Sequence, residues 1–194
     1  LTDDCHEAGA AVMIQLSHLG RRTRWDKGDW LPVLAAGPSR EPSHRAFPKV
    51  MEDWDISRVV KDYADAAERM AAAGVDGVEF ECYGHLMDQF MSPFTNALPA
   101  PYGGSLENRA RLLLEVVDQV RRAIGEGIPL MVRFSATDYV EGGWDQQQTN
   151  QVATWAKELG ADLFDISSGG IVAGVKIPTG PGYQVNLAES VRVA

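Results

Sequence analysis

Residues Gly74–Arg111, GVDGVEFECYGHLMDQFMSPFTNALPAPYGGSLENRAR, carry the reading on which the rest of the chain depends. Val75 to Cys82 has the length and apolar content of a buried strand, and it follows a glycine that can stop a helix. A polar stretch comes next, with Glu81, Tyr83, His85 and Asp88, and Ser105 then has the residue type and place of a helix N-cap. Strand, loop and helix in this order put several titratable side chains at the C-terminal end of one strand. Barrel enzymes keep their chemistry at that end.

Similar units lie on either side. Ala10–Leu16 (AAVMIQL) is a continuous apolar run, as a strand covered on both faces should be. Pro129–Ser135 and Asp162–Ser167 read as two further strands. Asp55 is placed to cap a helix over Ile56–Ala73, with Ile56, Val59, Val60, Tyr63, Ala66, Ala67 and Met70 at helical spacing. The helix after Ser105 should run to Ile124 and close at Gly125. Another spans about Gln146–Leu159 after a Gly142–Gly143 turn, and a last one starts near Leu187. Strands alternating with helices predict a parallel sheet with right-handed crossovers. Both an open doubly wound sheet and part of a (β/α)8 barrel fit this pattern. A whole barrel takes about 250 residues, so these units would be half of one. The connection from Ser17 to Asp53, rich in Pro, Gly, Trp and Arg, is too long for a passive loop and should fold over something.

With 194 residues, 45% apolar and 23% charged, the chain has material for one domain. Its net charge of -9 argues against a nucleic-acid or anionic-membrane partner. No apolar run approaches the roughly 20 residues that span a bilayer. Cys5 and Cys82 form no CxxC, which points to reduced thiols in a cytoplasmic protein. The start at Leu1 and the stop at Ala194 within an apparent helix point to a fragment. His6, His18, His44 and His85 lack metal-ligand spacing, so no metal is expected. GxGxxG, P-loop and GxSxG patterns are absent.

If extended backbone continues past the strand, Glu81, Tyr83 and His85 point to one side and converge. A carboxylate, a phenol and an imidazole together can hold a cation, relay a proton or orient a substrate. The same residues also suit a solvated strand end, and Gly84 could take His85 off that face. Arg133 in MVRF must snorkel or meet an anion, and the amide of Gln15 in MIQLSHLG needs partners. Arg21, Arg22 and Arg24, with Trp25 and Trp30, read as a solvated loop or a lid beside a cofactor. Gly169 and Gly170 suit either a turn or close approach of a ligand.

YGGSLENRAR (102–111) joined to DQFMSPFTN (88–96) resembles the Old Yellow Enzyme family. IQLSHLGRR (14–22), VRFSATD (132–138) and DISSGG (165–170) extend the resemblance in family order over essentially the whole chain. It implies a (β/α)8 TIM barrel, with residues 1–194 covering about strands three to six. It further implies FMN as cofactor, NAD(P)H as electron donor, a small-molecule substrate and hydride exchange at flavin N5. Gln15 would then bond the pyrimidine edge of the flavin. Arg133 would sit near N1 and O2, where a fixed cation stabilises the reduced form. Glu81 would face both flavin and substrate, and Tyr83 and His85 would bind substrate and act catalytically, His85 near the family's proton-donating tyrosine.

The chain departs from the ene-reductase pattern in the same region. Those enzymes grip a carbonyl oxygen with two donors, whereas ionised Glu81 only accepts and suits an ammonium group. NALPAPYGGS and GDWLPVLAAGPSREPSHRAFPK are similar to the amine-oxidising branch, such as N-methylproline and dimethylglycine demethylases. Val132–Gln184 is closer to the ene-reductases. Oxidative demethylation and alkene reduction therefore both stay open. So does a non-catalytic half-barrel, which would lack the phosphate-binding loops after strands seven and eight. Its open sheet edges would favour association into homo-oligomers.

Overall fold

A computed structural model describes residues 1–23, 32–41 and 47–194. Arg24, Trp25, Trp30 and His44 lie outside the described residues. In chain order the elements are α1 (Thr2–Glu7), β1 (Met13–Leu16), a 3-10 turn (Gly20–Arg22), β2 (Leu34–Ala35), β3 (Lys49–Val50) and α2 (Asp53–Ala72). There follow β4 (Gly77–Glu81), α3 (Leu86–Met91), α4 (Leu106–Ile124), β5 (Leu130–Ser135), α5 (Gln146–Glu158), β6 (Leu163–Ser167) and α6 (Val185–Val193).

The main sheet is four-stranded and wholly parallel, in the order β1-β4-β5-β6. The order never reverses, so right-handed crossovers place the connecting helices on one face. On that face Val78, Phe80, Leu130, Val132 and Phe134 are fully buried against Val59 and Tyr63 of α2 and Leu113, Val116 and Val120 of α4. The other face carries Glu79, Glu81, Arg133 and Asp165, all half-buried, and Gln15, exposed on the edge strand. At its lower end Met13 and Leu163 are 45% and 49% exposed. A doubly wound sheet buries both faces under helices, so the one-sided cover decides for the barrel type. None of the described helices is long and apolar enough to cross a membrane.

Two sequence expectations need correction. Strand β1 starts at Met13 rather than Ala10 and alternates exposed with half-buried, because it forms an edge of the sheet. Asp55 is not the cap of α2. It sits at the third helical position, where its carboxylate accepts the N–H of Glu52 at 3.0 Å and pairs with Lys49. An acid at that position reaches back to the capping residue, so the helix begins three residues earlier. Ser105 does cap α4, its Oγ accepting the N–H of Asn108, and Gly125 ends that helix at φ 69°. Helix α6 starts at Val185, two residues ahead of Leu187.

The loop from α3 to α4 is fastened almost entirely to backbone. Asn96 Nδ2 donates to the carbonyls of Phe90 and Tyr102, both at 2.7 Å, and its Oδ1 accepts the Leu98 N–H. Asn108 Nδ2 donates to the Gly103 carbonyl at 3.0 Å. Buried Arg109 donates to the carbonyls of Gly104 and Met91 and to Gln148 Oε1 on α5. Gly103 has no room for a side chain, since a Cβ there would lie 1.8 Å from the Leu98 carbonyl oxygen.

Candidate functional site at the C-terminal ends of the strands

Register places the polar face in tiers. Gln15 lies beside Glu79, and Glu81 lies beside Arg133, which lies beside Asp165. Gln15 Nε2 donates to Glu79 Oε1. The Arg133 guanidinium stands 3.3 Å from the Asp165 carboxylate, and its Nε is buried without a hydrogen-bond partner among the described residues. The amide that needed partners and the cation that needed an anion thus find them on one face.

Beyond Glu81 the chain turns sharply. Cys82 points into the core and Gly84 takes φ 67°. That left-handed residue breaks the two-residue alternation and brings His85 back under the strand end. His85 Nδ1 lies 3.0 Å from Glu81 Oε2 and 2.9 Å from Ser17 Oγ at the end of β1. Both side chains are nearly enclosed, 16% exposed for His85 and 17% for Glu81. Tyr83 is directed elsewhere, against Gly170 in the loop after β6, where a Cβ would lie 2.8 Å from its hydroxyl. The expected three-way convergence is therefore a Glu81–His85–Ser17 group with Tyr83 to one side.

Arg21 and Arg22 span the mouth. Arg21, buried, donates to the Ile171 carbonyl at 2.7 Å and to Ser39 Oγ at 2.9 Å. Arg22 donates to the Gly170 carbonyl and covers Gly84 so closely that a Cβ there would meet its guanidinium. The 3-10 turn after β1 thus lies over the strand ends and reaches the loop after β6. Gly169 and Gly170, at φ 72° and 92°, serve as packing positions for Ile177 and Tyr83.

Beneath the turn lie residues whose place the sequence did not disclose. Asp88 belongs to α3, not to a polar loop, and is fully buried with Gln89. Asp88 Oδ2 accepts the Gly84 N–H at 2.6 Å, and Gln89 Oε1 accepts the Arg21 N–H at 3.0 Å. Burial, reinforced by Asp138, pushes the Asp88 acid well above the ordinary carboxylate range, against the pull of the Gly84 N–H, Arg22 and Arg21. Burial also raises Asp138, whose Oδ2 accepts from Ser92 Oγ and the Trp144 N–H. An acid set among Leu, Met, Gln and Phe was the available signal.

A one-sided parallel sheet with ionic groups at its C-terminal ends defines an α/β barrel protein. Residues 1–189 match the NADH:flavin oxidoreductase / NADH oxidase family, and the chain belongs to it. It is 55% identical over 172 residues to a "Probable N-methylproline demethylase" of Rhizobium meliloti, a match covering 88% of this chain and 25% of that protein. It is 39% identical over 188 residues to an NADPH dehydrogenase of Halalkalibacterium halodurans, covering 96% and 53%. A solved morphinone reductase in complex with tetrahydroNAD superposes with a TM-score of 0.79 at 25% identity, covering 99% of this chain and 55% of that one. The chain thus spans a quarter to about half the length of these relatives, as a contiguous part of the family's TIM barrel.

Proposed function

We propose that the full-length protein is an FMN-dependent oxidoreductase that oxidatively demethylates a small N-methylated amine or amino acid, with residues 1–194 as part of its single barrel domain. The carrying observation is the Glu81–His85 contact at the mouth. A carboxylate on Nδ1 orients the ring and gives the pair a place to receive a proton. That arrangement takes a proton from a substrate ammonium, as an amine must lose one before its methyl carbon gives up hydride. Glu81 also supplies negative charge opposite the cationic nitrogen.

The polar face fits a flavin: Arg133 offers a fixed cation whose buried Nε–H has no partner among the described residues, and Gln15 offers an amide on the same face, across β4. These residues, with Glu81 at the rim, would hold FMN, which when bound supplies the two-electron acceptor. Arg21 and Arg22, by tying loops across the mouth, limit water at the site. The oxidised product, an iminium, is hydrolysed to formaldehyde and the demethylated amine. The 55% identity to the demethylase relative supports this reading.

Alkene reduction with NAD(P)H is the second reading, favoured by the Tyr83 phenol at the mouth as a proton donor and by the NADPH dehydrogenase relative. Formaldehyde release from N-methyl amino acids, set against NADPH oxidation with cyclohexenone, separates the two in the full-length enzyme. Demethylation predicts formaldehyde in step with amine loss; absence of turnover with every secondary and tertiary amine would sink it.

A further inference from the structure

The turn that aims Tyr83 and His85 hangs on the peptide groups of the residue between them. Gly84 has no side chain of its own to anchor and takes a left-handed φ that glycine leaves as easily as it enters. Its N–H is accepted by Asp88 Oδ2 at 2.6 Å, and its carbonyl receives Gln89 Nε2 at 3.4 Å. Helix α3, which carries both, is fixed from outside. The Leu86 N–H donates to the His18 carbonyl at 2.9 Å, and Thr95 Oγ1 donates to the Gln89 carbonyl at 2.8 Å. Asp88 itself is fully buried and its Oδ1 has no partner among the described residues. Burying a carboxyl group with one oxygen unsatisfied is costly, and its one hydrogen bond goes to the backbone of this turn.

We propose that Asp88 is a positioning residue: its carboxyl group fixes the Gly84 amide and so holds His85 against Glu81 and Ser17, and Tyr83 against Gly170. This rests on the reading of His85 as the proton acceptor and deepens it. The groups facing Asp88 are Asp138 after β5, Arg21 and Arg22 after β1, and Cys82 with the Gly84 N–H after β4. Burial and Asp138 favour the neutral acid. A neutral carboxyl is matched in shape by asparagine, which keeps the carbonyl acceptor, whereas alanine and leucine lack one. The clamp therefore survives D88N and is lost in D88A and D88L.

The full-length holoenzyme carrying each variant is read in two ways: titration of the His85 ring by NMR, and kcat and KM for an N-methyl amino acid per mole of bound flavin. D88A is expected to shift the His85 ring resonances and their pH profile away from wild type, as its contact with Glu81 changes. It should lower kcat about 10–100-fold, the scale of an ångström-level misplacement, with KM changed less than about 3-fold. D88N should match wild type in titration and lie within about 2-fold in kcat. Should D88A fail to fold, D88L fills the volume without an acceptor and carries the same expectations. Wild-type titration and kcat in a folded, flavin-loaded D88A or D88L overturn the proposal. So does a D88N as impaired as D88A, which would place the effect in the charge. If wild type turns over neither amines nor alkenes, the functional reading falls, and the His85 titrations alone decide for or against the clamp.

Discussion

Two loops of the same segment are built on opposite terms. Between Asn96 and Arg109 the key polar side chains end on main-chain carbonyls, and Gly103 is hemmed in by backbone. Between Glu81 and His85 the polar side chains meet each other and Ser17. The first loop runs into YGGSLENRAR (102–111), one of the stretches that carry the family resemblance, and its work is to build the scaffold. The second departs from the ene-reductase pattern and faces the mouth. A motif can therefore identify a barrel with assurance and still say nothing about what the barrel acts on.

The contrast predicts that damage to the first loop is read in stability and damage to the second in catalysis. The largest effect belongs to Gly103→Ala. With backbone 1.8 Å from the new Cβ, the full-length protein should lose more than about 4 kcal/mol in urea unfolding or fail to accumulate folded. Wild-type stability would remove the scaffold role. Arg109→Met strips the donor from three acceptors, those of Gly104, Met91 and Gln148, and should cost about 2–4 kcal/mol while kcat per bound flavin stays unchanged. A fall in that kcat would blur the division. Glu81→Gln should do the reverse: kcat/KM for an N-methyl amine falls about 10–100-fold, about 1.4–2.7 kcal/mol, with the melting temperature held within about 2 °C.

The smallest effect is a pH dependence. The Asp88 pKa is raised in the fold, so above an unfolded-state value of about 3.9 the unfolded chain releases its proton first. Unfolding then becomes easier as pH rises from about 4 toward the folded pKa, and Asp138 acts in the same sense. Asp76, held low by the Val12 N–H and then by His6, acts oppositely and only as pH falls below about 4. D88N should therefore lose less stability than wild type between pH 4 and 7 in denaturant titrations at each pH. A parallel decline in both proteins would contradict the buried-acid assignment.

The strand–helix alternation was legible because α2, α4 and α5 are long enough for an apolar stripe to repeat. Helix α3 was not, since LMDQFM is six residues buried all round and shows no periodicity. Helix α1, TDDCHE, buries nothing and so leaves no stripe. The two-residue strands β2 and β3 are too short for any alternation to show. At the candidate site, Gln15, Glu81, Arg133 and His85 stood out by residue type and place, and the strand register puts the first three on one face. Ser17, Asp88 and Gln89 could not, because their roles depend on a left-handed turn at Gly84 and on which helix lies beneath it. Tyr83 was misdirected for the same reason: alternation assumes extended backbone, and the backbone bends one residue later.

The arginines over the mouth also bear on the order in which the protein assembles. Arg21 and Arg22 reach carbonyls 150 and 148 residues further along the chain. Loop closure over such a span must wait until the later strands have docked, whereas neighbouring strands and helices can pair as they form. The cover of the site is then a late event in folding and an early one in unfolding. Weakening either arginine should therefore accelerate unfolding and leave the folding rate nearly unchanged in stopped-flow denaturant jumps.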